Sequence, residues 1–294
     1  MKLEDFFIEH KLSLENKTLV VAASGGPDSM ALIDLLTKLR DKYHFNIVAA
    51  HFDHQLRSDS ATEIKVLEKY AKNKKIQLIN GIWDKKDHPN SGVEAAAREA
   101  RYHFLSEVVR EHHGDYLLTA HHGDDLLENI LLKLIRSGNP DEMNSLQAVG
   151  KMHEIVLLRP LLAYSKKELL DYNLKNQIDF VEDSTNFEDE TMRNRLRHHV
   201  IPLLKKESPH LVDNALRFSE DEKILSTLSR RTVEEIGQPE QFLDYFYRLP
   251  MVKLGALSSR EQKFYWQDFI WRKFGVRVGN DLSGFTLKKY QQYF

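Results

Sequence analysis

Four stretches of this chain carry residue types that can do chemistry. The first is Ser24-Gly25-Gly26-Pro27-Asp28-Ser29, set between an apolar, β-branched run (Leu19–Ala23) and a helix-like pattern beginning Met30-Ala31-Leu32-Ile33. A buried strand, a small-residue turn and a helix start in succession form an anion site, because the first helical N–H groups lack intrahelical partners. Two glycines let backbone approach a bulky charged group, and Pro27 suits a first helical turn. No Gly-Lys-Ser/Thr follows, so this is not a Walker A loop. A plain helix cap is the competing reading.

The second stretch, Ala50-His51-Phe52-Asp53-His54-Gln55-Leu56-Arg57, gathers polar groups at the mouth of an apolar strand. Next to a phosphate loop it reads as a nucleotide or substrate contact; by itself it is equally a solvated turn. The third is Thr119-Ala120-His121-His122-Gly123-Asp124-Asp125-Leu126-Leu127-Glu128-Asn129. Asp125 is placed to cap a helix starting at Leu126, and Asp125 and Glu128 share one helical face. Such a carboxylate pair suits a cation, either a metal or the ammonium of a small substrate. The adjacent histidines lack the i, i+4 spacing of zinc enzymes. The fourth stretch places Arg193, Arg195 and Arg197 at alternate positions after the polar run Asp183-Ser184-Thr185-Asn186. Arginine's fork suits phosphate, so this is the best local candidate for neutralising ATP or RNA phosphate, although a solvated helix start has the same look. Arg98, Arg101 and Tyr102, on a helix-favouring segment with a Glu94–Arg98 pair, could present arginine to phosphate or RNA.

The elements that must position these groups are strands near 19–23, 46–52, 76–82, 116–120 and 155–158. Between the first four, and after the fourth, lie helices near 29–42, 61–73, 93–112 and 125–136. That alternation predicts an α/β fold with a doubly wound, mainly parallel sheet, whose ligands sit outside the carboxyl ends of the strands. Three of the polar stretches fall at those ends. Ser165-Lys166-Lys167-Glu168 is a capping box opening a helix to about Asn176. Pro202 and Pro209 mark a boundary near 210, giving a catalytic domain over 1–210 and a helical domain over 211–294.

The formal charge is −2, from 42 basic and 44 acidic residues, so no global basic field announces a nucleic acid, though one basic face is compatible with it. No signal-peptide pattern and no long uncharged apolar run occur, and a cytoplasmic location is expected. The absence of cysteine excludes thiol catalysis and cysteine-held iron–sulfur or zinc.

The first string resembles the pyrophosphate loop of the N-type ATP pyrophosphatases. Taken with AHFDHQLR, EAAAREARY, TAHHGDDLLENILLKLIRSG, LLRPLL and DSTN…RNRLRHHVIPLL, in that order over about 205 residues, the chain resembles the tRNA(Ile)-lysidine synthetase family of that superfamily. The resemblance implies a ligase that uses ATP to adenylate the wobble cytidine of the CAU anticodon in tRNA(Ile), then joins L-lysine to it. It implies ATP contacts by Ser24, Gly25, Gly26, Pro27, Asp28, Ser29, His51 and Asp53, with Mg²⁺ on Asp28. It further implies catalytic roles for Asp28, Arg193 and Arg195, lysine binding by Asp125 and Glu128, and tRNA contacts from Arg57, Arg98, Arg101 and Arg197. His122 or a neighbouring carboxylate is the candidate proton acceptor. The family often has Thr where this chain has Asn129. Residues 211–294 resemble the first accessory tRNA-recognition domain, without the further C-terminal domain of longer members; a homodimer is left open. Sulfur-inserting relatives need cysteines that this chain lacks. Another pyrophosphatase-type ligase, or an ATP-binding sensor of the universal-stress type without turnover, remains the alternative.

Overall fold

The computed structural model describes residues 3–55, 60–138, 140–181, 189, 191–243, 246–248 and 250–274. The elements run α1 (Leu3–Glu9), β1 (Thr18–Ala22), α2 (Pro27–Tyr43), β2 (Asn46–Asp53), α3 (Ser60–Lys74), β3 (Gln77–Ile82), α4 (Val93–Glu111), β4 (Tyr116–Leu118) and α5 (Gly123–Arg136). They continue with a single turn α6 (Pro140–Met143), β5 (Val149–Met152), β6 (Ile155–Leu158), α7 (Lys166–Lys175), α8 (Met192–Arg195), α9 (Ile201–Glu207) and α10 (Leu211–Ile236). Last come β7 (Glu240–Leu243), β8 (Phe246–Arg248), α11 (Met251–Gly255) and α12 (Ser259–Phe274).

Six strands form one sheet in the order β3-β2-β1-β4-β6-β5, parallel except for the antiparallel β5–β6 pair. The expected doubly wound α/β architecture is therefore present. Alternation along the strands explains why both faces are covered. Leu19, Val21, Ile47, Ala49, Leu118 and Leu158 join the core beneath α2 and α3. Val20, Val48, Ala50, Leu117 and Leu157 pack instead with Leu105, Val108 and Val109 of α4. The chain leaves β1 towards β2 on one side and returns through β4 on the other. The β1–β4 crevice is thus the topological switch point, where open α/β sheets bind ligands.

Strand β5 was not among the expected elements. Its Val-Gly-Lys-Met sequence has a glycine and one β-branched residue, and it forms because the turn at His153–Glu154 folds it onto β6 at the sheet edge.

By compactness the chain divides into Met1–Glu128 with Leu146–Leu216, and Asn129–Ser145 with Arg217–Phe294. The second unit is not wholly helical, for β7 and β8 pair as an antiparallel hairpin with a register shift between Gln241 and Leu243. Val233, Leu254 and Tyr265 form its small core. The Tyr265 hydroxyl donates to the Gly237 carbonyl at 2.7 Å, and burial takes its pKa up to about 12.

Buried Asp34 ties three helices of the first unit. It accepts from Tyr70 of α3 at 2.7 Å and Tyr172 of α7 at 2.6 Å, and pairs with Lys38 on its own helix at 2.9 Å. Nearby, fully buried Asn173 donates to the Pro27 carbonyl at 2.7 Å, fixing α7 against the start of α2. Burial pushes the Asp34 carboxyl up, but the two hydroxyls and Lys38 outweigh it and hold the group below its ordinary value. A depressed folded pKa stabilises above the unfolded value of about 3.9, and that contribution is lost as pH falls through the folded value. Asp34→Ala should cost about 3 kcal/mol in urea unfolding at pH 7, since two half-buried hydroxyls and Lys38 lose the buried carboxylate they converge on. The gap between variant and native protein should shrink below about pH 4.

Candidate active site

The turn after β1 is shaped by its own small side chains. Ser24 Oγ accepts from Gly26 N at 3.3 Å and lies 3.2 Å from Ser29 Oγ, which donates to the Gly26 carbonyl at 3.0 Å. Gly26 is the N-cap of α2 and Pro27 its first residue, as the missing proline N–H allows. Gly25 has φ +75°, and a Cβ there would meet the Glu63 backbone at 3.1–3.2 Å. Its carbonyl accepts from Val181 N at 3.0 Å, which holds the turn from the far side. The loop opens onto a cavity of about 400 Å³, a volume in the small-ligand range. Ser24, Gly26, Pro27, Asp28 and Ser29 line it on one side. Asp53, Arg101, His121 and Asp125 line it elsewhere.

His51, expected at this site, is buried in the strand interface behind it. Its Nδ1 lies 2.9 Å from the Ala23 carbonyl, so it braces the end of β1. Arg98 is exposed on α4 and does not line this cavity. Arg57 and Asp183–Asn186 lie outside the described residues.

The stretch after β4 is built differently from its sequence reading. Helix α5 begins at Gly123, two residues before Asp125, so Asp125 is not the cap but reaches back to accept from His122 N at 3.0 Å. Gly123 permits this early start. A Cβ there would lie 2.9 Å from the Leu162 carbonyl and 2.2 Å from a Val212 methyl. Asp124 turns away and accepts from Lys166 N at 2.8 Å, while Lys205 binds its other oxygen.

The result is a continuous charge network. Lys166 Nζ donates to both oxygens of Asp28, at 2.9 and 2.7 Å. His122 Nε2 lies 3.7 Å from Asp28 Oδ2 and 3.5 Å from Asp125 Oδ2, bridging the loop helix to α5. Fully buried Glu128 accepts two bonds from Arg197, at 2.6 and 3.0 Å, and pairs with Arg193 at 3.1 Å. Arg197 also donates to Asp125 at 3.2 Å.

Arg193, Arg195 and Arg197 alternate in sequence but sit on a helical run, so 193 and 197 share a face and 195 points elsewhere. Arg195 is exposed and donates to the Asp189 carbonyl at 2.9 Å. Leu196–Val200 is a π-helical segment in which Ile201 N reaches back five residues to the Leu196 carbonyl. Pro202 explains the widening, because it lacks the N–H that an α-helical ladder would use there.

Electrostatics separates the neighbouring acids. Burial pushes the Asp125 carboxyl up, but His122, His121 and Arg197 outweigh it and keep it below its ordinary value. At Glu128 burial prevails despite Arg197, and the carboxyl is raised. Burial works against the Arg197 guanidinium too, yet Glu128, Asp125 and Asp28 raise it. The paired groups therefore move in the same direction, because the fully enclosed carboxylate bears the heavier desolvation. Burial lowers His121 to about 4, so it is a neutral imidazole at pH 7, with Thr119 Oγ1 at 2.9 Å from its Nδ1.

Lys166 and Lys205 were not singled out from sequence. Lys166 lies within the predicted capping box, which the structure contains in full at Ser165 and Glu168. That box announces a helix start but not its partner 138 residues away.

A glycine-turn anion site at the switch point, opposed by a cation-holding carboxylate pair, defines a nucleotide-binding α/β protein of the pyrophosphatase type. Residues 1–204 match the PP-loop domain family. A tRNA(Ile)-lysidine synthase of Lactobacillus johnsonii is 44% identical over 304 residues, covering 100% of this chain and 70% of that protein. Those of Enterococcus faecalis and Bacillus subtilis are each 34% identical, with 58% and 51% of their lengths covered and 91% and 80% of this chain. The chain belongs to the tRNA(Ile)-lysidine synthase family. In fold it is similar to the U34-tRNA thiolase NcsA of Methanococcus maripaludis, at TM-score 0.61 and 16% identity over 74% of this chain and 79% of that one. That thiolase carries a [4Fe-4S] cluster, whereas this chain has no cysteine to hold one. Among the described residues no helix is long and apolar enough to cross a membrane.

Gly25→Ala tests the loop. The left-handed backbone and the Glu63 contact should displace the turn, weakening ATP binding at least tenfold by calorimetric titration. The melting temperature should fall by only a few degrees, as expected for a penalty of about 1–2 kcal/mol.

Proposed function

We propose that this protein uses ATP to attach L-lysine to C2 of the wobble cytidine in the CAU anticodon of tRNA(Ile), in the cytoplasm. The cytidine O2 attacks the α-phosphorus of ATP and pyrophosphate leaves. The lysine ε-amine then attacks C2, the C2–O2 bond breaks, AMP departs with that oxygen, and the amine loses its proton. The observation that carries this reading is the Asp125–Glu128 pair, already engaged with a guanidinium beside the phosphate loop. A site that accepts an organic cation at that position suits a lysine better than it suits a sensor of ATP alone.

The roles follow from placement. Ser24, Gly26 and Ser29 would receive the β and γ phosphates, with the α2 N-terminus adding its dipole. Asp125 and Glu128 would hold the amino acid. His122, between Asp28 and Asp125, is within reach of a proton moving along the network. Neutral His121 lines the cavity and is a second acceptor. Arg193 and Arg197 would turn from Glu128 towards negative charge developing on phosphate. Asp28 fits the usual pattern for Mg²⁺, which takes one or two carboxylates plus substrate phosphates, once Lys166 releases it. When bound, the ion supplies neutralisation of the pyrophosphate leaving group.

Incubation with ATP, radiolabelled lysine and unmodified tRNA bearing a CAU anticodon tests the reading directly. Label should enter the wobble nucleotide. ATP binding without label would favour the sensor. Asp28→Ala should abolish tRNA-dependent pyrophosphate release. Asp125→Asn should retain it while raising the lysine concentration for half-maximal labelling roughly 10- to 100-fold, the loss expected for one charge-assisted bond.

A further inference from the structure

A second cavity of about 660 Å³ runs beside α4, outside the strand-end site. One wall is a single face of that helix, from Ala95 through Arg98, Tyr102 and His103 to Arg110, a length of about 22 Å at 1.5 Å per residue. The other wall is the β5–β6 hairpin with Lys151 and His153, closed by Arg159. Two acids face it. Glu107 is taken by His103 at 3.5 Å and Arg110 at 3.8 Å, which leaves Glu99 against Arg98, Lys151 and Arg159.

Three guanidiniums gather around the Tyr102 ring and its surroundings. Arg98 lies 4.8 Å and Arg101 5.6 Å from the ring centroid. Arg159 is only 9% exposed; Nη1 donates to the Gln147 carbonyl at 2.7 Å, and its Nε has no partner. None of the three has a carboxylate partner among the described residues. Burial disfavours the charge on Arg101 and Arg159, and Arg98 adds repulsion to both. Arg101 and Arg159 are thus partly buried like charges that pair with no carboxylate among the described residues, which is costly unless an anion completes them. Tyr102 lines both this groove and the strand-end cavity.

We propose that the groove between α4 and the β5–β6 hairpin binds the sugar–phosphate backbone of the RNA substrate and leads the strand past Tyr102 into the strand-end cavity. The inference rests on the reading that a polynucleotide is the substrate. Length favours RNA over a free nucleotide, since one phosphate cluster cannot fill about 22 Å of groove. The Tyr102 ring offers a stacking surface of the kind single-stranded nucleic acid uses.

Binding of an unmodified CAU transcript by fluorescence anisotropy, from 50 to 200 mM salt, tests it on the full chain. Each lost phosphate contact should flatten the slope of log affinity against log salt by about 0.7–1. Exposed Lys151→Ala and buried Arg159→Gln should each do so and weaken binding several-fold at 100 mM salt, with ATP affinity unchanged. Should Arg159→Gln fail to fold, Lys151→Ala alone decides. An unchanged slope in Lys151→Ala, or a loss of ATP rather than RNA affinity, overturns the proposal. Slope changes in a protein that never incorporates lysine would leave the RNA surface standing and sink the lysine reading. Lysine incorporation with unaltered slopes would do the reverse.

Discussion

The structure of the first unit turns on the gathering of four carboxylates where two strand ends face each other. Asp28 follows β1, while Asp124, Asp125 and Glu128 follow β4, and these strands are adjacent in the sheet. Parallel pairing at a switch point brings the two turns together whatever they carry. Carboxylates removed from water in this way are expensive without partners. The chain after β6 supplies those partners. Lys166 serves Asp28, Lys205 serves Asp124, Arg197 serves both Asp125 and Glu128, and Arg193 also serves Glu128. Lys166, Arg193, Arg197 and Lys205 thereby neutralise the site, on segments whose apolar residues Leu169, Leu196 and Ile201 are buried.

Much of this was legible because it is local. The apolar, strand-like runs, the Gly-Gly-Pro turn and the Ser165–Glu168 box each encode an element within a few residues, and each formed near where expected. Asp34 shows where local reading stops. In sequence it is one polar residue inside an apolar helix, and only packing reveals Tyr70 and Tyr172 converging on it. Lys166 was invisible for the same reason. The spacing of Arg193, Arg195 and Arg197 was visible, but its meaning depended on backbone period. On an extended strand all three would face one way, whereas on a helix Arg195 separates from the other two. Helix α5 started two residues early because Gly123 tolerates neighbours that no side chain could, a tertiary fact with no local signature.

The two adjacent histidines show how one turn assigns different chemistry to identical residues. His122 is buried and lies within 4 Å of two carboxylates, Asp28 and Asp125. His121, one residue earlier, faces the cavity beside Thr119 and is neutral because it is desolvated. The first is set to couple the loop helix to α5. The second is set to meet a ligand without adding charge.

A pre-neutralised network also bears on how the proposed cationic substrate would enter. Were Asp125 and Glu128 unpartnered, they would repel each other in a poorly solvated place, and one would take up a proton. With Arg197 bridging them, the ammonium of the proposed lysine substrate would replace one cation by another, and the local charge would be conserved through the exchange. The displaced guanidinium would then be free for phosphate. Lys166 stands in the same relation to Asp28, from which a phosphate-bound cation can release it. Arg197 lies within the π-helical segment before Pro202, where the backbone ladder is already widened.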